Sequence, residues 1–199
     1  MKMGGNLGDP NAVRALFSML PDGLEVHVID AHSAASAEHA KACAVKFVNH
    51  SPLPCIQQYL ATIKAPCILV SPDKGAIEKT RGYAEALNLP AAYCTKKRDP
   101  TTGALTGFEV ALRPGKIHPD SHFVIVDDIC DGGGTFHGVD AALVDAGLGQ
   151  YPSHLWTTHG IYSKGTEALL ETFQTIGCTD SYRQDYAVDS RHVVIPVFT

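Results

Sequence analysis

The chain has 199 residues, 45% of them hydrophobic and 19% charged, with 16 Lys and Arg against 21 Asp and Glu for a net charge of −5. This is the make-up of one globular domain with a sizeable core. It leaves no basic surplus for a nucleic-acid partner, so a phosphate-rich ligand would depend on backbone donors, a few cations or a metal. No apolar run approaches the ~20 residues of a membrane helix, and Met1–Pro10 lacks the apolar core of a secretion signal.

Six cysteines (Cys43, Cys55, Cys67, Cys94, Cys130 and Cys178) are scattered, with no C-x-x-C pair. In a chain of this length they read as reduced thiols, and the expected compartment is the cytoplasm.

In chain order, Gly-rich residues 1–10 are expected to be disordered or an expression remnant, and residues 11–199 to form a single domain. Residues 11–20 have helical apolar spacing stopped by Pro21-Asp22-Gly23, and Leu24–Ile29 is strand-like. The stretch from Ala34 is open between a helix over the Ala-rich Ala34–Ala42 and a short strand at Val45–Val48, while Pro54–Ile63 reads as helix. From Cys67 a rhythm sets in: strands at Cys67–Val70, Ala91–Thr95, His122–Val126, His154–Thr158 and His192–Val197, with helices at Gly75–Leu87, Phe136–Ala146 and Gly165–Gln174. Short buried strands alternating with helices predict a doubly wound, mainly parallel α/β sheet. Residues 96–114 interrupt the rhythm, and their Thr101-Thr102-Gly103 apex between extended arms predicts a β-hairpin flap.

The densest chemistry is Val124-Ile125-Val126-Asp127-Asp128-Ile129-Cys130-Asp131-Gly132-Gly133-Gly134-Thr135. A hydrophobic strand runs into two acids, a glycine turn and a helix start. Ligands of open α/β sheets sit at the carboxyl ends of strands, and a glycine turn entering a helix offers N–H groups and the positive dipole end to phosphate. Carboxylates just before such a turn suit the 2- and 3-hydroxyls of a ribose whose 5-phosphate the turn takes. The string is neither a Walker loop nor G-x-G-x-x-G.

It resembles the ribose-phosphate loop of type I phosphoribosyltransferases and ribose-phosphate pyrophosphokinases. Four further segments, in the same order as in the pyrophosphokinases, sharpen the likeness. Asp30-Ala31-His32-Ser33 is similar to their D-x-H-S element, Ser71-Pro72-Asp73-Lys74-Gly75 to their S-P-D-x-G turn, Lys96-Lys97-Arg98 to the Lys-x-Arg opening their flap, and Thr158-His159-Gly160-Ile161-Tyr162-Ser163-Lys164-Gly165 to their T-H-G-x-x-S-x-G stretch.

The resemblance implies diphosphoryl transfer from ATP to the 1-hydroxyl of ribose 5-phosphate, or of a 5-substituted ribose such as ADP-ribose. It implies Asp127, Asp128 and Asp131 on the ribose, and Gly132, Gly133, Gly134 and Thr135 on the 5-phosphate. His32 and Asp73 are then magnesium ligands, and Lys96 and Arg98 the catalytic cations. It further implies a homo-oligomer. The chain departs from the pattern at Gly132, where threonine is common, and at Lys74. It also begins after the place where the pyrophosphokinases carry an N-terminal, ATP-binding half. Two rival expectations stand beside this one: a phosphoribosyltransferase using a nitrogenous base, and a ribose-phosphate binder without turnover.

Overall fold

The computed structural model describes residues 10–98, 101, 105–112, 117–186 and 189–197, and only the backbone of 10–11, 96–98 and 105–108. The expectation for residues 1–10 therefore lies outside the described residues, save that Pro10 opens the first helix. Proline suits that position, because its missing N–H would have had no partner there.

Where the sequence rhythm predicts one domain over 11–199, the chain divides into two compact units, Met1–Pro52 and Leu53–Thr199. The first contains α1 (Pro10–Ser18), β1 (Glu25–Ile29), α2 (Ala35–Ala42) and β2 (Lys46–His50). Its strands pair in parallel with each other alone, from Glu25↔Lys46 to Ile29↔His50. A separate small core of Phe17, Ala40 and Val45 joins them to the helices. The stretch left open from Ala34 resolves as helix α2 followed by strand β2.

The second unit contains α3 (Leu53–Leu60), β3 (Cys67–Ser71), α4 (Ile77–Leu87), β4 (Ala91–Arg98), β5 (Leu105–Leu112), β6 (His122–Cys130), α5 (Gly134–Asp145), β7 (Ser153–Gly160), α6 (Glu167–Thr172), β8 (Ile176–Thr179) and β9 (His192–Ile195). Seven strands form one sheet in the order β5-β4-β3-β6-β7-β8-β9, parallel except for β4 and β5. This is the mainly parallel, helix-flanked α/β fold the alternation predicts. Leu69, Phe123, Ile125, Leu155, Trp156 and Ile176 are fully buried within it. Burial of such a side chain contributes about 1.5–3 kcal/mol, so these central strands carry much of the unit's stability.

Three details differ from the sequence reading. The strand expected to stop at Val126 continues to Cys130, because β7 keeps pairing with it at Ile129↔His159 and Cys130↔Gly160. Strand β8 was not anticipated; its four residues, Ile-Gly-Cys-Thr, are all buried and show no alternation. The flap arms are an antiparallel pair continuous with the sheet, from Ala92↔Leu112 to Arg98↔Leu105, while most of the expected Thr-Thr-Gly apex lies outside the described residues.

The strand order matters for function. From β3 the chain moves through α4 to β4 on one side, and from the neighbouring β6 it moves through α5 to β7 on the other. The carboxyl ends of β3 and β6 thus flank a topological switch point, the place where open α/β sheets leave a crevice.

Candidate active site

Asp127 and Asp128 sit in the carboxyl-terminal half of β6, towards this switch point. Extended backbone sends consecutive side chains to opposite faces, and the Asp127 carboxylate folds back onto the strand, its Oδ1 accepting the Asp128 backbone N–H at 2.9 Å. Asp128 is buried, and Lys79 Nζ stands 3.7 Å from its Oδ2. Burial raises the Asp127 carboxyl well above the ordinary carboxylate range, with the negative charge of Asp128 next in weight and that of Asp73 a lesser contribution. Asp127 therefore feels the charge of both Asp128 and Asp73, across the ends of β3 and β6. Such a cluster is favourable for a ligand that brings hydroxyl donors or a cation.

Asp73 reaches this place through a turn its own side chain builds. Its Oδ1 accepts the N–H groups of Gly75 at 2.9 Å and Ala76 at 3.3 Å, and Ser71 Oγ donates to its carbonyl at 2.7 Å. Lys79 follows in the first turn of α4, where the helix dipole disfavours a cation. That misplaced charge was the only sequence signal for a residue the reading missed, and its partner is Asp128.

After β6, Asp131 and Gly132 are exposed, and Gly133 turns the chain into α5 in the left-handed region, at φ +79°. A side chain at Gly133 would also meet Leu169 Cδ2 at 2.9 Å. The Gly133 carbonyl accepts the first amides that find a partner, those of Phe136 at 3.0 Å and His137 at 3.2 Å. Gly134 and Thr135 precede them, and their amides have no acceptor in the helix. The turn therefore offers N–H donors and a helix dipole beside the acid pair, a geometry suited to an anion.

Of the remaining expected site residues, Lys96 and Arg98 lie on β4 in the far half of the hairpin, paired through backbone with Phe108 and Leu105, and their side chains lie outside the described residues. His32 is exposed and belongs to the first unit, just after β1 and the buried Asp30, whose φ is +53°. Among the described residues, no group of three His, Cys, Asp or Glu side chains is gathered to hold a metal. Magnesium is commonly held by one or two carboxylates together with substrate phosphates, so the oxygen donors of Asp73 and the acid pair fit its chemistry.

A cavity lined by Pro66, Arg81, Leu89, Tyr93 and Ile117 opens at the amino ends of β3 and β4. It holds none of these acids and none of the glycine turn.

Comparison with known proteins agrees with this geometry. Residues 55–148 match the phosphoribosyl transferase domain family. The ribose-phosphate pyrophosphokinase of Pyrococcus abyssi is 32% identical over 162 residues, covering 79% of this chain and 52% of that protein. That of Pyrococcus furiosus is 31% identical over 179 residues, covering 87% and 60%. A crystal structure of phosphoribosylpyrophosphate synthetase from Mycobacterium smegmatis shares the fold, with a TM-score of 0.75 at 18% identity over 96% of this chain and 61% of that one. The chain spans about half to three fifths of the length of these relatives. The chain is thus similar in sequence to ribose-phosphate pyrophosphokinases over part of their length, contains a segment matching the phosphoribosyl transferase domain, and shares the fold of a phosphoribosylpyrophosphate synthetase.

Proposed function

We propose that the chain binds ribose 5-phosphate and transfers a diphosphoryl group to it from ATP. The 1-hydroxyl oxygen bonds to the β-phosphorus, the bond from that phosphorus to the α,β-bridging oxygen breaks, and the hydroxyl proton passes to solvent. The products are 5-phosphoribosyl 1-diphosphate and AMP. The observation that carries this reading is the acid pair of β6, with Asp128 buried, set before a glycine turn with helix-end amides.

Asp127, Asp128 and Asp131 accept hydrogen bonds from the ribose hydroxyls, and the amides of residues 132–135 and the Thr135 hydroxyl hold the 5-phosphate. Lys96 and Arg98 are the cations assigned to the charge on the transferring phosphates. Asp73 would hold magnesium together with phosphate oxygens, and the ion would screen charge on those phosphates. A 5-substituted ribose is a second acceptor within the same reading. All six cysteines are free and five are buried, which suits the reducing cytoplasm.

The test is a phosphorus NMR time course with Mg²⁺, ATP and ribose 5-phosphate, and in reverse with 5-phosphoribosyl 1-diphosphate and AMP. Appearance of the expected products in both directions supports the reading. Pyrophosphate release from 5-phosphoribosyl 1-diphosphate only with a nitrogenous base overturns it in favour of phosphoribosyl transfer. Ribose 5-phosphate binding without turnover overturns the catalytic part.

A further inference from the structure

The stretch that follows β7 lies beside the glycine turn. Its backbone doubles back onto the site: the amides of Ile161 and Tyr162 both donate to the Cys130 carbonyl, at 2.8 and 3.2 Å, directly before the glycine turn. Tyr162 is buried with φ +48°, and its hydroxyl shares a 3.2 Å hydrogen bond with Thr157. The Gly165 amide closes the reversal onto the Tyr162 carbonyl at 2.9 Å. This platform carries Lys164 over the turn. A Cβ built on Gly132 would lie 3.5 Å from Lys164 Cε and 3.7 Å from its Nζ, so the lysine occupies the space beside the glycine that has no side chain of its own. Lys164 is exposed, and among the described residues no carboxylate pairs with it.

We infer that Lys164 is a binding residue for the 5-phosphate, supplying the charged donor of a turn that otherwise offers backbone amides and one threonine hydroxyl. The inference rests on the ribose 5-phosphate reading above. A phosphate monoester carries close to two negative charges at neutral pH, and amides alone answer them with partial charges. A lysine ammonium adds a full point charge, and in a chain of net charge −5 such charges are few.

The experiment is an amide NMR titration of wild type, Lys164→Gln and Lys164→Arg with ribose 5-phosphate, and separately with ribose. Loss of one charge-assisted contact weakens ribose 5-phosphate binding about 10- to 100-fold in Lys164→Gln. Ribose binding stays unchanged, and Lys164→Arg keeps most of the affinity. Unchanged ribose 5-phosphate affinity in Lys164→Gln overturns the assignment, as does equal loss for ribose and its phosphate, or equal loss in the arginine variant. A wild-type protein that binds neither probe overturns the ribose 5-phosphate reading itself, which separates that failure from this one.

Discussion

The two ends of the seven-stranded sheet treat their polar groups in opposite ways. At the amino ends of the strands, His122 Nδ1 and His154 Nε2 lie 2.9 Å apart, and His154 Nδ1 meets Thr175 Oγ1 at 2.7 Å. Thr175 Oγ1 in turn shares a 2.8 Å hydrogen bond with the Tyr59 hydroxyl. The chain of contacts is closed: each of these groups finds its partner within the protein, and burial holds His154 neutral, its pKa lowered to about 4. At the carboxyl ends, Asp127 and Asp128 are placed against each other, and burial and repulsion raise the Asp127 pKa. There the amides of Gly134 and Thr135 precede the first helical hydrogen bonds and have no acceptor within the helix. Both ends are polar, but one end satisfies its own needs while the other has polar capacity for a ligand. Closed polar packing and open polar capacity are therefore separated along the strands of one sheet.

Acid breaks the closed end, with the largest expected effect. His154 titrates near 6.5 when unfolded and near 4 when folded, so between those values the unfolded chain binds more protons. Its contribution to stability is complete above pH 6.5 and is lost as pH falls towards 4, by about 2–3 kcal/mol. Urea unfolding of wild type and His154→Gln at pH 6.5 and 4.5 measures it: wild type loses this amount and the variant does not. Equal acid sensitivity in both would place the titrating group elsewhere.

The open end is sharpened by Asp128→Asn. This change keeps the shape and removes the charge, and one charge-assisted hydrogen bond to a ribose hydroxyl amounts to about 1.5–3 kcal/mol. Ribose 5-phosphate affinity should fall about 10- to 100-fold by calorimetric titration, while affinity for inorganic phosphate at the turn changes little. Loss of both together would mean that the acid pair shapes the turn rather than reading the sugar.

The same contrast explains what the sequence revealed. Asp127, Asp128 and the glycines were legible because a strand end, an acid pair and a tight turn are local, and each makes its demand on adjacent residues. The parallel alternation from Cys67 onward was legible for the same reason. Lys79, Lys164 and the His122–His154–Thr175–Tyr59 chain were not, because their meaning depends on pairings that only the folded sheet creates. Strand β8 was hidden because four buried residues carry no period. The separate pairing of β1 with β2 was hidden because the apolar spacing of a strand does not say which sheet it joins.

The smallest expected effect concerns Asp127, and its sign distinguishes a binding site from a structural one. The unfolded chain gives up the Asp127 proton in the ordinary carboxylate range, while the folded protein holds it to higher pH. In the unliganded protein the contribution of Asp127 is therefore most favourable below that range and is lost as pH rises through the folded pKa. Asp127→Asn keeps an oxygen to accept the Asp128 amide and removes the repulsion. The variant should be more stable than wild type at neutral pH by about 1 kcal/mol, and the gain should shrink to nothing as the pH enters the ordinary carboxylate range. Thermal unfolding across pH 4 to 8 measures this. Because the same variant should bind ribose 5-phosphate more weakly, a protein that gains stability while losing its ligand would show that the cost of crowding two acids is retained for binding. A variant less stable than wild type at neutral pH would instead make Asp127 a structural residue, and the open end would be as closed as the other.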